Sequence, residues 1–542
     1  MPRLCVAVLC LLGLSACADP GPRDRSALLP SRRTVVVPLN DPSESPGTVI
    51  GLEPDPLGAL YPEGPDVVLH FSELSTLERV AVSHFTEVRR LLPVLKLPDR
   101  AAAEVLRSAF QLSPDAQIQP GRPFSVVRWR GGWLAVLPLT GSFVPHEGLR
   151  PLDDRYSVVG PAPLVRSYVP AGRAAFRLHG HVSAHIAPKG LAELRGAIAE
   201  ALTLARLAMP DLPASPLGDP RGLARIDFAA QFDAREVRVD VRLTPRPDAP
   251  LATALAGVQP SAGRASPVLP IGGTLYGELL VPAGVLVAAH GALGGRQSGE
   301  PSPVIAQALQ VVGDDVAWSF HLDADNPGVA YVVAAVHDPT AAQAFLRSAG
   351  MEKLLAILAG PDGRLEWTPN AFRRGTVDIG EVRGSLSRSM LTRWRESGTF
   401  AAVPGAVLRG PVEAYVAVAG DKLVAVIGQR SKSAAERFVD ALASGAPPTG
   451  THAPELAALE LKHAAAVTAD LAALLDGVRD SAPFWTETSR PLLALRLRAR
   501  VPLTAALSVE HGALRISTAL NPRLTAALAA KAMQLLGIEQ SR

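Results

Sequence analysis

The sequence predicts an α+β fold in which antiparallel sheets carry Ala/Leu-rich helices on one face. Beyond residue 65, short strand patterns alternate with Ala/Leu-rich helical patterns. Residues 237–243 alternate apolar and polar side chains, which is typical of a strand with one packed and one wet face. Tight turns join several strand patterns, as in an antiparallel sheet. A parallel sheet would show fully apolar strands and a Gly-rich phosphate loop, and the sequence contains neither.

The N-terminal segment is typical of a secretory signal. Met1, Pro2 and Arg3 precede an apolar run over residues 4–16, and Cys17 follows that run. Such a run is too short to span a bilayer as a permanent helix. We therefore expect residues 1–16 to be a cleaved signal peptide.

A four-residue motif stands at the end of this signal. Leu14, Ser15, Ala16 and Cys17 resemble the lipobox of bacterial lipoproteins. The resemblance implies that the Cys17 thiol accepts a diacylglycerol, that a peptidase cleaves before Cys17, and that the new amino group is acylated. Several acyl chains anchor firmly, because each buried methylene contributes about 0.8 kcal/mol. The alternative is an ordinary secretory signal with an incidental cysteine.

The residue after the lipobox bears on location. Ala18 stands where the best-known retention signal for the inner membrane has Asp. The resemblance therefore favours the outer membrane over the inner membrane, with the body in the periplasm or at the cell surface.

Cysteine content and charge exclude several classes of protein. Cys5, Cys10 and Cys17 are the three cysteines, so cleavage would leave only the lipidated one. We therefore expect no internal disulfide, no thiolate metal site and no cysteine nucleophile in the mature chain. No cofactor is expected either, since no cofactor-binding motif is found. The formal net charge of +3 over 542 residues argues against a nucleic acid partner.

The remaining chain divides into a tether and a body. Residues 17–64 are rich in Pro, Ser and Gly, as expected for a flexible tether behind a lipid anchor. We expect a first α+β unit over residues 65–262, connecting strands and loops over 263–324, and a second α+β unit over 325–542.

Three pairs of segments recur in the same order and predict an internal duplication. Both members of the first pair are a strand followed by a helix, and both members of the second are hairpins. Both members of the third are a hairpin followed by an Ala-rich segment that starts at proline. The pairs are 67–92 with 329–358, 124–139 with 412–427, and 223–256 with 503–530. Chance similarity in an Ala/Leu-rich chain is the alternative.

One segment of the body carries a second resemblance. Residues 412–426 and the helix pattern over 433–442 resemble uncharacterised bacterial envelope proteins built from repeated strand–helix–hairpin units. The resemblance implies an architecture and no catalytic residues.

Alternating histidines form the candidate metal site. His179, His181 and His185 share one face if residues 175–186 form a single strand, and they are then candidate zinc ligands. No acidic residue stands within the cluster, and Gly180 weakens the strand. The alternative is the solvated face of an alternating strand.

The other candidate motifs favour structural roles. The sequence contains no Gly-x-Ser-x-Gly elbow, no His-Glu-x-x-His motif and no Walker-type loop. The carboxylate pairs 153–154 and 314–315 are each expected to lie in a polar loop and to be hydrated. The tryptophans are expected to pack in the core or on a sheet face rather than to bind a ligand.

These observations lead to three hypotheses. The first is a non-enzymatic envelope lipoprotein, attached to the membrane through the lipid on Cys17, that binds or scaffolds an envelope protein or peptidoglycan. The second is a binding protein for an apolar ligand such as a lipid, held between helices and the concave face of a sheet. The third is a divergent metal-dependent hydrolase that uses His179, His181 and His185.

Overall fold

The fold was obtained as a computed structural model, which describes seventeen stretches of the chain. They are residues 52–76, 106–107, 110–113, 116–140, 147–190, 222–232, 237–256, 258, 264–270, 272–280, 303–321, 328–387, 411–428, 431–445, 464–470, 473 and 502–520. The predicted signal peptide, Cys17 and most of the predicted tether lie outside the described residues. Within them, no helix is long and apolar enough to cross a membrane.

The described residues form twenty-two strands and six α-helices. The strands are β1 Leu52–Pro54, β2 Val67–Phe71, β3 Gln117–Ile118, β4 Phe124–Trp129, β5 Gly132–Leu137, β6 Leu139–Thr140, β7 Leu149–Pro151, β8 Ser157–Val159, β9 Phe176–Leu178, β10 Val182–Ile186, β11 Leu223–Phe232, β12 Val237–Pro245, β13 Leu275–Leu279, β14 Val312–His321, β15 Val329–Val336, β16 Arg364–Arg374, β17 Val377–Ser385, β18 Val412–Ala419, β19 Lys422–Gly428, β20 Ala465–Asp470, β21 Pro502–Glu510 and β22 Ala513–Leu520. The helices are α1 Ala162–Ser167, α2 Pro250–Ala256, α3 Pro303–Val311, α4 Pro339–Leu346, α5 Ala349–Ala359 and α6 Lys432–Ala443.

The predicted fold class, α+β with helices on one face, is wrong. Eighteen of the described strands belong to one antiparallel sheet, and described helices are few. Alanine content misleads here: Ala465–Asp470 reads Ala-Ala-Val-Thr-Ala-Asp and is nevertheless a strand. Intrinsic helix propensity is a weak preference, and burial between neighbouring strands overrides it.

The chain divides into two compact units. The first contains the described residues within 1–190 and 227–234, and the second contains those within 191–226 and 235–542.

In the first unit, six strands pair in the order β10-β2-β4-β5-β8-β7. All five residues of β2 are buried, as expected for a strand with a neighbour on each side and both faces covered. The rings of Phe71 and Phe124 stack on this sheet with their centroids 4.6 Å apart.

In the second unit, the strands pair in the order β12-β22-β21-β20-β13-β14-β15-β19-β18-β17-β16. Side chains alternate between the two surfaces of this sheet. We call the surface that carries Tyr276, Tyr331 and Tyr415 the tyrosine face. The opposite surface, which carries Trp318 and Trp367, is called the tryptophan face.

Helices cover both faces of the second sheet, which contradicts the predicted one-sided arrangement. On the tryptophan face, Phe345 of α4 and Leu355 of α5 pack with Val382 and Ala414. On the tyrosine face, α6 packs through a separate core cluster that includes Tyr415, Val424, Val426, Phe438 and Val439. The strands of this region therefore have two buried surfaces, each closed by a different helical element.

The strands of the predicted repeats do not all pair with corresponding neighbours. Strand β2 pairs with β4, the first strand of its hairpin, whereas β15 pairs with β19, the second strand of the corresponding hairpin. In the third predicted pair, β12 and β22 are direct antiparallel neighbours, with Asp240 opposite Ser517. The duplication therefore stays a prediction.

Candidate functional site

Helix α6 forms one wall of a pocket on the tyrosine face. Its buried residues Ala434, Ala435, Phe438 and Val439 recur every three to four positions, so one stripe of the helix faces the sheet. The Phe438 ring meets the Tyr331 ring edge-on, with the centroids 5.3 Å apart. Apolar packing therefore fixes which face of α6 is turned towards the strands.

Polar contacts tie α6 to strand β16. The Lys432 Nζ lies 4.8 Å from the centroid of the Phe372 ring, within the range of a cation–π contact. The guanidinium of Arg374 donates to Asp440 with an Nη2–Oδ2 distance of 2.6 Å. The Asp440 carboxylate raises the pKa of Arg374 further above its ordinary value.

The β18–β19 turn supplies the second wall. Gly420 has φ 61°, a left-handed conformation that glycine adopts at little cost. The turn brings Asp421 and Lys422 to the pocket, where the Lys422 Nζ lies 2.7 Å from the Asp421 Oδ1. This hydrogen bond lowers the pKa of Asp421 despite the opposing effect of partial burial.

The segment over residues 264–270 supplies the third wall. The buried Asp315 carboxylate accepts the backbone N–H groups of Arg264 and Ala265, the latter at 3.0 Å. Burial raises the pKa of Asp315, although these two hydrogen bonds oppose the shift. The anchor holds the segment that carries Val268 and Pro270 over the sheet.

The three walls enclose an open pocket of about 860 Å³. Its floor includes Tyr331, Val377 and Ala419, all on the tyrosine face. Most lining side chains are apolar. The lining comprises Val268, Pro270, Tyr331, Thr376, Val377, Ala419, Gly420, Asp421, Lys422, Ala434, Arg437, Phe438, Ala441, Leu442, Ala443 and Gly445.

The three predicted zinc-ligand histidines do not share one strand. The predicted strand over 175–186 is interrupted, because β9 pairs with β1 and β10 pairs with β2 in another sheet. The His179 Nδ1 lies 2.7 Å from the Glu53 Oε2, and the His185 Nδ1 lies 3.1 Å from the Asp227 Oδ1. His181 lies between the two strands. Among the described residues, no three His, Cys, Asp or Glu side chains form a group that could hold a metal ion.

The two carboxylate pairs occupy different positions, and only Asp153 and Asp154 lie in an exposed loop as the sequence predicts. Asp153 accepts the backbone N–H groups of Arg155 and Tyr156 at 2.8 and 2.6 Å, and therefore closes a turn. Asp314 and Asp315 lie in β14, where Asp314 is exposed and Asp315 is buried. The expectation of a loop position is wrong for this second pair.

Two tryptophans fill space above glycines on the tryptophan face. A Cβ added at Gly277 would overlap the ring of Trp318, and one added at Gly380 would overlap the ring of Trp367. The Trp367 indole Nε1 donates to the backbone oxygen of Leu346 at 2.7 Å. These positions agree with the packing role that the sequence favours for tryptophan.

A buried polar cluster in the first unit was not predicted from the sequence. The His70 Nδ1 lies 3.1 Å from the Asp55 Oδ1 and 3.3 Å from the Ser125 Oγ, and the Tyr61 hydroxyl donates to Asp55 at 2.8 Å. Burial raises the pKa of Tyr61 well above its ordinary value. A Ser–His–Asp catalytic arrangement requires serine and aspartate on different imidazole nitrogens. Here both approach Nδ1, so the geometry supports a structural network.

The pocket residues were not predicted as a site either. They come from segments distant in sequence and consist mainly of apolar and small side chains, which carry no motif. The sequence predicts only their local structure: residues 412–427 as a hairpin and 433–442 as a helix, which the structure contains as β18, β19 and α6.

Comparisons with known proteins add little to this geometry. No family model matches the chain, and no curated protein matches it in sequence. Two solved structures, described as crystal forms III and I of TP0453, are each 10% identical to it and cover 50% of the chain. The matches span 98% and 99% of those chains with TM-scores of 0.25 and 0.23, values too low to establish a shared fold.

Proposed function

We propose that this protein is a lipid-anchored envelope protein that binds an apolar small molecule in the α6 pocket without catalysing a reaction. The observation that carries the proposal is the open, largely apolar pocket of about 860 Å³. Small-molecule sites commonly have volumes of roughly 300–1,000 Å³ and apolar walls with a few polar groups. The α6 pocket has both properties.

The walls of the pocket suit a flexible hydrocarbon chain. Val268, Val377 and Leu442 offer aliphatic surface, and Phe438 offers an aromatic ring. Each buried methylene contributes about 0.8 kcal/mol, so about ten methylenes supply roughly 8 kcal/mol before the cost of ordering the ligand. This free energy corresponds to a dissociation constant in the micromolar range or weaker.

The competing hypothesis of a metal-dependent hydrolase has less support. Two of its three candidate ligands, His179 and His185, already contact carboxylates, and they lie beside different sheets. The buried His70 cluster lacks the geometry for activating Ser125. We therefore favour binding over catalysis.

Filling the pocket tests the binding proposal. The probe is N-phenyl-1-naphthylamine, an uncharged dye that fluoresces in apolar surroundings, titrated into the purified full chain below the critical micelle concentration of any detergent. Ala441 lines the pocket and is exposed, so Ala441→Trp fills space without disturbing the core. We expect Ala441→Trp to weaken saturable dye binding by about tenfold.

The matched control is Ala356→Trp, at an exposed position of α5 outside the pocket lining. It adds the same ring to the surface of a helix and should leave dye binding unchanged. Equal affinity in the native chain and in Ala441→Trp would contradict the proposal.

The membrane anchor is tested separately. We expect the native chain to partition with membranes and to carry the added mass of acyl chains at Cys17. The Cys17→Ala variant should retain its signal peptide or lose membrane attachment. A native chain that is soluble and has an unmodified mass would contradict the anchor, whatever the result of dye binding.

A further inference from the structure

We infer that the ligand of the α6 pocket is an amphiphile with an anionic head group, bound at Arg437. The inference rests on the proposed function and adds the chemical class of the ligand. Two cations and one carboxylate line an otherwise mostly apolar pocket: Lys422, Arg437 and Asp421. The charges belong to two different elements, the β18–β19 turn and helix α6.

Neighbouring cations already balance the negative charge of the Asp421 carboxylate. Asp421 is hydrogen-bonded by Lys422, and the charge of Arg264 lowers the pKa of Asp421 further. Asp421 therefore stays ionised and paired at neutral pH. The lining as a whole keeps an excess of positive charge.

Arg437 supplies this excess. It forms no ion pair with any residue in the part of the chain that the structure describes. Asp440, one turn further along α6, is bound by Arg374, and Glu436 also contributes to the raised pKa of Arg374. The guanidinium of Arg437 thus has donors available, and its planar fork suits a carboxylate or a phosphate.

The dipole of helix α6 does not oppose an anion at Arg437. The C-terminal turn of α6 lines the pocket at Ala443, and its carbonyl groups carry partial negative charge that disfavours an anion. Arg437 precedes Ala443 by six residues, or roughly 9 Å along the axis at about 1.5 Å per residue. The dipole effect fades beyond the last turn, so it does not oppose an anionic head at Arg437 while a hydrocarbon tail lies on the apolar lining.

Two sources share this chemistry: the carboxylate of a free fatty acid and the phosphate of a lipid. The experiment uses three probes with the same hydrocarbon chain, namely hexadecanoate, hexadecyl phosphate and hexadecanol. Each displaces the naphthylamine dye from the purified full chain at a pH where the carboxylate is ionised. We expect both anions to bind about tenfold tighter than the alcohol, and the tighter of the two identifies the source.

Variants assign the preference to one side chain. Arg437→Gln should weaken binding of the anions by about tenfold and leave binding of hexadecanol unchanged, whereas Arg437→Lys should retain most of the preference. Lys353→Gln removes an exposed cation of α5 outside the pocket and serves as the control.

The outcomes separate this inference from the proposed function. Equal affinity for all three probes in the native chain would overturn the anionic head group and leave the apolar pocket standing. An anion preference that survives Arg437→Gln would overturn the role of Arg437. Failure of every probe to displace the dye would overturn both the inference and the proposed function.

Discussion

The two faces of the second sheet share the same strands and differ in what lies above them. On the tryptophan face, α4 and α5 pack Phe345, Met351 and Leu355 against the sheet and leave a smaller pocket of about 240 Å³ beside Trp367 and Gly380. On the tyrosine face, α6 and residues 264–270 cover the sheet but leave the pocket of about 860 Å³ between them. Dense packing supports stability, whereas incomplete packing leaves room for a ligand.

The faces also differ in polarity. One row of paired residues crosses the entire tyrosine face and is polar at most positions. The row runs through Arg238, Ala519, Thr504, Thr468, Tyr276, Ser319, Tyr331, Val426, Tyr415, Glu381 and Thr368. On the tryptophan face, by contrast, Val382 of β17 lies opposite Ala414 of β18, and this pair is apolar. Buried hydroxyl and carboxyl groups must be hydrogen-bonded. The tyrosine face is therefore less suited than the tryptophan face to burial under apolar side chains alone.

The largest effect on stability is expected on the tryptophan face. Phe345→Ala removes a buried ring from the cluster between α4, α5 and the sheet. Because the surrounding side chains cannot fully close the cavity, we expect a loss of about 3–5 kcal/mol in the free energy of unfolding. Urea denaturation of the full chain measures it. A loss close to zero would mean that this face is not densely packed.

A smaller loss is expected where an aromatic ring covers a glycine on the same face. Gly380→Ala places a methyl group in the space of the Trp367 ring, and we expect a loss of about 1–3 kcal/mol. In the double variant with Trp367→Leu, whose smaller side chain yields space, the loss should be smaller than the sum of the two single losses.

The control for the glycine change is Gly121→Ala, where an added Cβ would meet no atom within 4 Å. It should have little effect on urea denaturation. If Gly380→Ala behaves like Gly121→Ala, then the contact with Trp367 does not constrain this position.

The sequence predicts local strands better than it predicts the architecture. The pattern at residues 67–71 and the Gly131–Gly132 and Gly420–Asp421 turns predict strands and hairpins that the structure contains. Those signals are local: alternation, and glycine at a turn. The predicted fold class was wrong because it depends on tertiary contacts. These contacts decide which face of the sheet a helix covers and which strands pair across hundreds of residues. The pocket could not be predicted for the same reason.

A still smaller effect on stability is expected from truncation in the pocket. Leu442→Ala shortens a half-buried side chain of the lining. The space it leaves joins an existing opening and creates no sealed cavity, so we expect a loss below about 1 kcal/mol. The same variant should weaken dye binding. A loss as large as that of Phe345→Ala would show that the two faces are packed alike.

The smallest expected effects are opposite responses to pH at two carboxylates of the pocket region. Burial raises the pKa of Asp315, so from about pH 3.8 upwards its carboxyl group binds more protons in the native state than in the unfolded state. The free energy of unfolding therefore falls as the pH rises over that range. The pKa of Asp421 is lowered by Lys422, so its contribution is complete above the ordinary pKa and is lost as the pH falls through the lowered value. The urea midpoint, measured from about pH 3 to 6, distinguishes them. Asp315→Asn should make the midpoint rise more steeply with pH than in the native chain, and Asp421→Asn should make it rise less steeply. Equal slopes in both variants would mean that Asp315 and Asp421 are not held in different electrostatic surroundings.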